Sequence, residues 1–425
     1  MLDLKFIREN IELVKKALNN RKMDLNIGVF LGLDKERRAL LQEVEGLKHK
    51  KNKVTEEIAT LKKASKPADD KISSMKELSQ KIKEFEAKVG ESNKKLAQIL
   101  LEIPNIPHSS IPVGLGPKAN KLIKEWGKKR KFDFKPRTHI ELGEMLDIID
   151  FPRASKIVGS NFPLFKGDGA KLVRALINFM LELHTKKHGY REIWAPALAN
   201  RASMTATGQL PKLKEDMYQL KDDDYFLIPT AEVPVTNIHR NEILKEDELP
   251  IYYTAYTPCF RREAGSYGKE TKGLLRVHQF DKVELVKFVK PQGSYQELEK
   301  LLENAEEVLQ ILKLPYRVSV LSTGDLSFAA AKCYDIEAYS SGVEQYLEVS
   351  SCSNFESFQA RRGNIRYRKK DTGKLEYVHT LNGSGVALAR TIAAMLENYQ
   401  QKDASIKIPE ALVSFMGGQE IINCV

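Results

Sequence analysis

The chain is short of the features that would put it in a membrane, outside the cell or among P-loop enzymes. No apolar run approaches the ~18 residues of a transmembrane helix. The opening stretch, MLDLKFIREN, carries acids early and has no continuous apolar segment, so no secretory signal is predicted. Cysteine is scarce. Cys259, Cys333, Cys352 and Cys424 form no C-x-x-C pair, which argues against a disulfide framework or a zinc knuckle and suits a reducing cytoplasm. No G-x-x-x-x-G-K-[ST] is present; GDGAK at Gly167–Lys171 is too short and lacks the hydroxyl, so any nucleotide binds without a P-loop. His184 and His188 stand four apart but enclose no glutamate base, and structural zinc is not expected.

What is present is organised in blocks. The 425 residues suffice for about two or three cores. A net charge of +11 favours a polyanionic partner, although basic proteins without one are common. Ile7, Ile11, Val14 and Leu18 recur at helical spacing. Two a/d seams follow. Leu40, Val44, Leu47, Lys51, Val54, Ile58 and Leu61 form the first; Met75, Leu78, Ile82, Phe85, Val89, Ser92, Leu96 and Ile99 form the second. A break at 64–70 separates them, which predicts an antiparallel helical hairpin roughly 45 Å long. Its outer faces are lysine-rich, from Lys48, Lys50, Lys51 and Lys53 to Lys62, Lys63, Lys66 and Lys71 around the tip. These lysines are either a solvated surface or a grip on a phosphate backbone. Four prolines then punctuate 101–120 and mark a boundary, giving an N-terminal helical domain over 1–103 (arm at about 34–100), a linker over 104–120 and a second domain over 121–425.

The second domain mixes strands and helices. A helix over Lys171–His188 and a strand over Tyr190–Trp194 open it. Strands are predicted at Tyr225–Ile228, Ile251–Thr257, Tyr316–Val320 and Gln345–Val349, with a helix at Ser294–Leu312. Hairpins and long excursions connect them, which predicts an α+β fold: an antiparallel sheet flanked by helices. At its centre Pro258–Glu284 reads as a long β-hairpin closed by a loop rich in Gly, Ser and Lys. Arg261 and Glu263 would share one face of the first strand, and Arg276, His278, Phe280, Lys282 and Glu284 one face of the second; if those faces coincide, cations, carboxylates and one flat aromatic lie together. That set suits a nucleotide with a small amino compound, or an amphipathic surface hairpin. Near the end, HTLNGSGVALARTIAAMLENYQ reads as a Gly-Ser-Gly turn opening an apolar helix with Arg390 in its middle, aimed either at a core carboxylate or at a phosphate.

FRRE at Phe260–Glu263 and the Gly-rich stretch with Arg390 together resemble motifs two and three of class II aminoacyl-tRNA synthetases; the region around Gly159–Pro196 resembles motif one. TGQLPK at Thr207–Lys212, FLIPTAEVPVTN at Phe226–Asn237 and FRREAGSYG with LLRVHQFDKVE resemble the seryl-tRNA synthetase family in particular, and the N-terminal rod resembles its tRNA-binding arm. Departures are few: Arg262 inside the motif-two run, SNF at Ser160–Phe162, and the tail from Gly418.

The resemblance implies a serine–tRNA ligase, a homodimer with tRNA(Ser) bound across its subunits, and tRNA(Sec) as a further acceptor. It implies Arg261 on the α-phosphate and Arg390 on the γ-phosphate of ATP as the catalytic pair. Phe280 would stack on adenine beside Glu263 and Val277, with Arg262, Glu348, Val349, Ser350 and Ser351 completing the ATP site. Glu348 and Ser351 would be the ligands of Mg²⁺. Thr230, Ala231 and Glu232 would hold the serine ammonium; Glu284 with Ser384, near Asn382, would hold its hydroxyl. A ligase acting on a carrier protein would generally lack the long arm, and an inactive RNA-binding paralogue would be expected to have lost a motif arginine or a residue of the TAE run.

Overall fold

The computed structural model describes residues 1–264 and 272–424. The Gly-, Ser- and Lys-rich loop predicted inside the central hairpin lies largely outside them. The chain divides into two compact units, one of Leu2–Asn19 with Met23–Pro104, the other of Met1, Asn20–Lys22 and Asn105–Val425.

In the first unit, helices α1 (Ile27–Lys63) and α2 (Asp69–Glu102) follow two short helices. Arg37 bonds Asn93, Lys48 pairs with Glu86, and Lys71 with Glu57, so the two long helices run antiparallel. Every predicted seam position is at least partly buried, including Lys51, and Ser92 is fully so. Between seam positions the residues are mostly exposed, as the 3.5 repeat requires. Helix α1 ends one residue before Ala64, and Ser65 (φ +53°) turns the chain at the tip. The tip lysines Lys62, Lys63, Lys66 and Lys71 are exposed.

The second unit is built on an eight-stranded sheet. Its strands are β1 (Lys121–Trp126), β2 (Arg191–Glu192), β3 (Ile251–Phe260), β4 (Gln279–Val289), β5 (Tyr316–Val320), β6 (Lys332–Ser340), β7 (Gln345–Asn354) and β8 (His379–Ala387). The spatial order is β1-β5-β6-β7-β8-β4-β3-β2. All neighbours are antiparallel except the edge pair β2–β3. Helices α3 (His139–Met145), α4 (Gly167–Glu182), α5 (Ser294–Ile311) and α6 (Leu388–Tyr399) accompany it. Val283, Leu285, Val318, Ile336 and Val349 are buried along the strands, as are Leu298, Leu301 and Ala305 of α5 and Ile392 and Leu396 of α6.

Three sequence expectations change. Gly383, Ser384 and Gly385 form no turn; they lie inside β8. A Cβ on Gly383 would stand 2.8 Å from Cys352 Sγ and 3.3 Å from Leu301, and one on Gly385 would stand 2.7 Å from His184 Nε2. The glycines therefore permit close packing on one face, which leaves Ser384 for the other. Arg261 and Glu263 do not share a strand face, because β3 stops at Phe260 and Glu263 sits at φ +49°. Arg276 and His278 precede β4. Pairing nonetheless continues past the strand end: Arg261 N donates to His278 O at 2.9 Å. Arg390 lies in the first turn of α6 and is not buried; the charge inside that helix is Glu397. His184 and His188 bond each other through Nδ1 at 2.9 Å, and His188 Nε2 bonds Glu307 at 2.8 Å.

Glu397 ties three segments together. Its carboxylate accepts from His139 N and Nδ1, Ser340 Oγ, Gly342 N and Val343 N at 2.5–3.0 Å. Burial pushes its pKa up, but the bonds from His139 and Ser340 hold it below the ordinary carboxylate value. Glu397→Ala should therefore lower the unfolding free energy by about 3–5 kcal/mol near pH 7. Its folded pKa is depressed, so the wild-type advantage is present above about pH 4.3 and disappears as pH falls through the lowered value. Urea unfolding followed by tryptophan fluorescence reads this unit, which contains both Trp126 and Trp194; a loss under 1 kcal/mol would contradict the account.

Candidate functional site

The middle strands β7, β8 and β4 floor a cavity of about 540 Å³. Their register sets its chemistry. Ser384 on β8 stands directly opposite Glu284 on β4, and Asn382 opposite Val286 and Ser353. The ladder shifts between Ser384 and Val386, and between Glu348 and Ser350 on β6–β7. Both irregularities adjoin cavity residues, where a bulge re-aims side chains.

One group of residues is buried and polar. Lys282 lies two residues before Glu284 on β4. Its Nζ donates to Thr230 Oγ1 at 2.9 Å and stands 2.6 Å from Glu284 Oε2, which also accepts from Thr230 Oγ1 at 3.0 Å. Glu232 lies beside this triangle, its backbone N 3.2 Å from Thr230 Oγ1. Gln359 Nε2 donates to Glu232 Oε1 at 2.5 Å, and Thr380 Oγ1 donates to Gln359 Oε1, which fixes the amide's orientation. Burial, then the charge of Glu284, push the Glu232 carboxyl up to about 7. The cluster is a small anionic cradle with one built-in cation.

A second group is cationic and aromatic. Arg261 Nε donates to Pro229 O at 3.3 Å, and its guanidinium lies 5.2 Å from the Phe280 ring centre. Arg390 donates from Nε to Leu275 O at 2.9 Å and from Nη1 to Glu348 O at 2.8 Å, with the Glu348 carboxylate at 3.6 Å. The segment before β4 is held from both sides, because Leu274 N also donates to His139 Nε2 at 3.1 Å. A Cβ on Gly273 (φ +68°) would stand 2.4 Å from that same nitrogen, so glycine is required there. Glu263 pairs with Arg276 at 2.7 Å.

Of the residues expected from sequence, Arg261, Arg390, Glu263, Val277, Phe280, Thr230, Glu232, Glu284, Asn382, Ser384, Glu348, Val349, Ser350 and Ser351 line this one cavity. Two do not. Arg262 is exposed, and Ala231 packs into the apolar cluster with Val286 and Phe288. Lys282 and Gln359 carried no assigned role in the sequence. Lys282 had a signal, a charge two positions from Glu284 and so on the same strand face; Gln359 had none, since only the fold brings it to Glu232. Among the described residues no three His, Cys, Asp or Glu side chains gather to hold a metal. Glu348 is the one carboxylate that this strand brings to the cavity, with Ser351 beside it, which fits a Mg²⁺ carried mostly by phosphate oxygens and water.

Comparison with known proteins follows the same two-unit division. A family model for the seryl-tRNA synthetase N-terminal domain matches residues 1–107, and one for the tRNA synthetase class II core domain (G, H, P, S and T) matches 215–399. A serine–tRNA ligase of Carboxydothermus hydrogenoformans is 57% identical over 421 residues, covering 99% of each chain. One from Geobacillus kaustophilus is 56% identical over 424 residues, covering 100% of each. The crystal structure of seryl-tRNA synthetase from Pyrococcus horikoshii complexed with ATP superposes with a TM-score of 0.94 at 40% identity, covering 100% of both chains. The chain belongs to the seryl-tRNA synthetase family of class II, ATP-dependent serine–tRNA ligases.

Proposed function

We propose that the cavity holds ATP and L-serine together and joins them as seryl-adenylate, after which the seryl group passes to the 3′ end of tRNA(Ser). The observation that carries this reading is the convergence of Arg261 and Arg390 with the Thr230–Lys282–Glu284 cluster in a single cavity. Among the described residues no helix is long and apolar enough to cross a membrane; separately, the free cysteines suit the reducing cytoplasm to which the reaction is assigned.

The first step needs no general base, because the serine carboxylate is already ionised. One carboxylate oxygen forms a bond to the α-phosphorus, the bond to the bridging oxygen breaks, and pyrophosphate leaves. The obstacle is that two anions must approach while charge builds at the α-phosphate. Arg261 is assigned to the α-phosphate and Arg390 to the γ-phosphate. Phe280 offers a face to adenine, with Val277, Val349 and Ser350 lining the pocket and Glu263 near the base's amino edge. Arg262, exposed outside the cavity, is left without a phosphate role in this reading. Glu348 and Ser351 would hold Mg²⁺, which when bound spreads phosphate charge. In the second step a terminal ribose hydroxyl attacks the seryl carbonyl and AMP departs.

Serine presents an ammonium and a hydroxyl. Thr230 and Glu232 are assigned to the ammonium, which would favour the ionised form of a carboxyl that burial pushes up to about 7. Glu284 and Ser384, opposite each other in register and near Asn382, are assigned to the hydroxyl. Buried partners left unpaired by alanine would cost about 1–3 kcal/mol each, enough to discriminate. Exposed Trp194, Ile157 and Val158 in the motif-one-like region support pairing with a second copy. The arm's exposed lysines support a grip on tRNA backbone phosphates. Such contacts position without reading bases, so the proposal extends to tRNA(Sec) as an acceptor.

Two experiments test these assignments. Glu284→Ala should reduce serine-dependent ATP–pyrophosphate exchange by about 100-fold while ATP affinity changes less than about threefold; equal loss of both would argue against the serine site. Replacing residues 36–98 by a short turn should leave exchange within about threefold and abolish charging of tRNA(Ser); full charging by the shortened chain would remove the arm's role.

A further inference from the structure

Residues 127–137 follow β1 and carry six cations, Lys128, Lys129, Arg130, Lys131, Lys135 and Arg137, against one acid, Asp133. All but Arg137 are exposed. The segment is fixed, and the catalytic assignments above do not use it. At its start Gly127 (φ +79°) turns against Pro315, where a Cβ would stand 3.1 Å from Cα. At its end Arg137 N donates to Gln400 Oε1 at 2.8 Å, and Gln400 Nε2 donates to Arg137 O at 2.9 Å. Between them Lys129 Nζ lies 4.0 Å from the Tyr339 ring centre and 4.8 Å from that of Tyr346, and the Arg130 guanidinium lies 3.9 Å from that of Tyr399. Asp133 is taken up by Lys402 at 3.3 Å, which leaves the segment's field positive.

Its position relates it to the cavity. Tyr339 and Tyr346 are register partners on β6 and β7. Tyr346 lies two residues before Glu348 on the same face of β7, so it is about 7 Å from a residue that lines the cavity. A nucleic acid whose 3′ end enters that cavity must bring its preceding phosphates over neighbouring surface. Cations on an ordered backbone lose less conformational freedom on binding than cations on a loose tail.

We propose that residues 128–137 form a phosphate-binding surface for the acceptor arm of the tRNA, distinct from the coiled-coil arm and placed beside the mouth of the catalytic cavity. The inference rests on the chain's being a tRNA ligase. Lys129 and Arg130 anchor the segment on its tyrosines; Lys128, Lys131 and Lys135, which make no ion pair among the described residues, take the phosphates. These contacts would raise affinity without discriminating bases.

The test is the full-length triple variant Lys128→Ala, Lys131→Ala, Lys135→Ala, titrated with a tRNA(Ser) transcript between about 50 and 200 mM KCl. The expected result is a Kd about tenfold weaker and a salt slope shallower by about two to three, with serine-dependent pyrophosphate exchange and sedimentation unchanged. The matching triple of Lys→Arg changes should retain wild-type affinity. Unchanged tRNA affinity and slope, with normal exchange, would overturn the proposal. So would a change in sedimentation, which would assign the surface to contact between copies of the chain. Exchange by the unaltered chain in the same assay tests the activation reading separately, so the two can fail independently.

Discussion

Two guanidiniums held by backbone carbonyls are the constraint on which the catalytic cavity depends. Arg261 is fixed by Pro229 O, and Arg390 by Leu275 O and Glu348 O. A carbonyl orients a guanidinium without cancelling its charge, whereas a close carboxylate would neutralise it. The Glu348 carboxylate stands 3.6 Å from Arg390, and among the described residues Arg261 makes no ion pair within 4 Å. Positive charge fixed before the substrate arrives needs little reorganisation when negative charge develops, and this is the form of electrostatic catalysis that costs least at the moment of reaction. The rest of the site holds those carbonyls still. His139 grips Leu274, Glu397 grips His139, and Glu397 also reaches Ser340 at the end of β6 and Gly342 just beyond it.

The same economy governs the polar end. Glu232, Glu284, Lys282 and Thr230 are all buried, an arrangement that is stable only because each finds partners. Lys282 offsets one of the two carboxylates, and the elevated pKa of Glu232 reflects the other. A substrate ammonium would supply the missing cation. On the proposed reading an α-amino acid would balance the charge at this end of the cavity, and phosphates would balance the arginines at the other.

Legibility in the sequence followed the range of the interactions. The coiled coil was readable because its 3.5 repeat is local, and each predicted seam residue is at least partly buried. The class II fold was readable through motifs whose residues the sheet assembles. What failed was conformational detail set by contacts distant in sequence. Gly-Ser-Gly reads as a turn unless Leu301 and His184 are known to press on it. Arg390 reads as buried unless the cavity is known to open beside it. Gln359 could not be found at all, since nothing local marks the amide that meets Glu232. The basic run at 128–137 was not singled out from the sequence, because only the fold fixes its position beside β7.

On the proposed reading, fixed positive charge lowers the barrier to adenylate formation and does more than bind ATP. Single-turnover quench measurements of seryl-adenylate formation at saturating ATP and serine test it directly in Arg261→Ala. The expected result is a rate reduced about 100- to 1,000-fold with ATP affinity changed only a few-fold. A rate close to wild type once ATP is saturating would mean that the guanidinium serves binding alone, and would contradict the account.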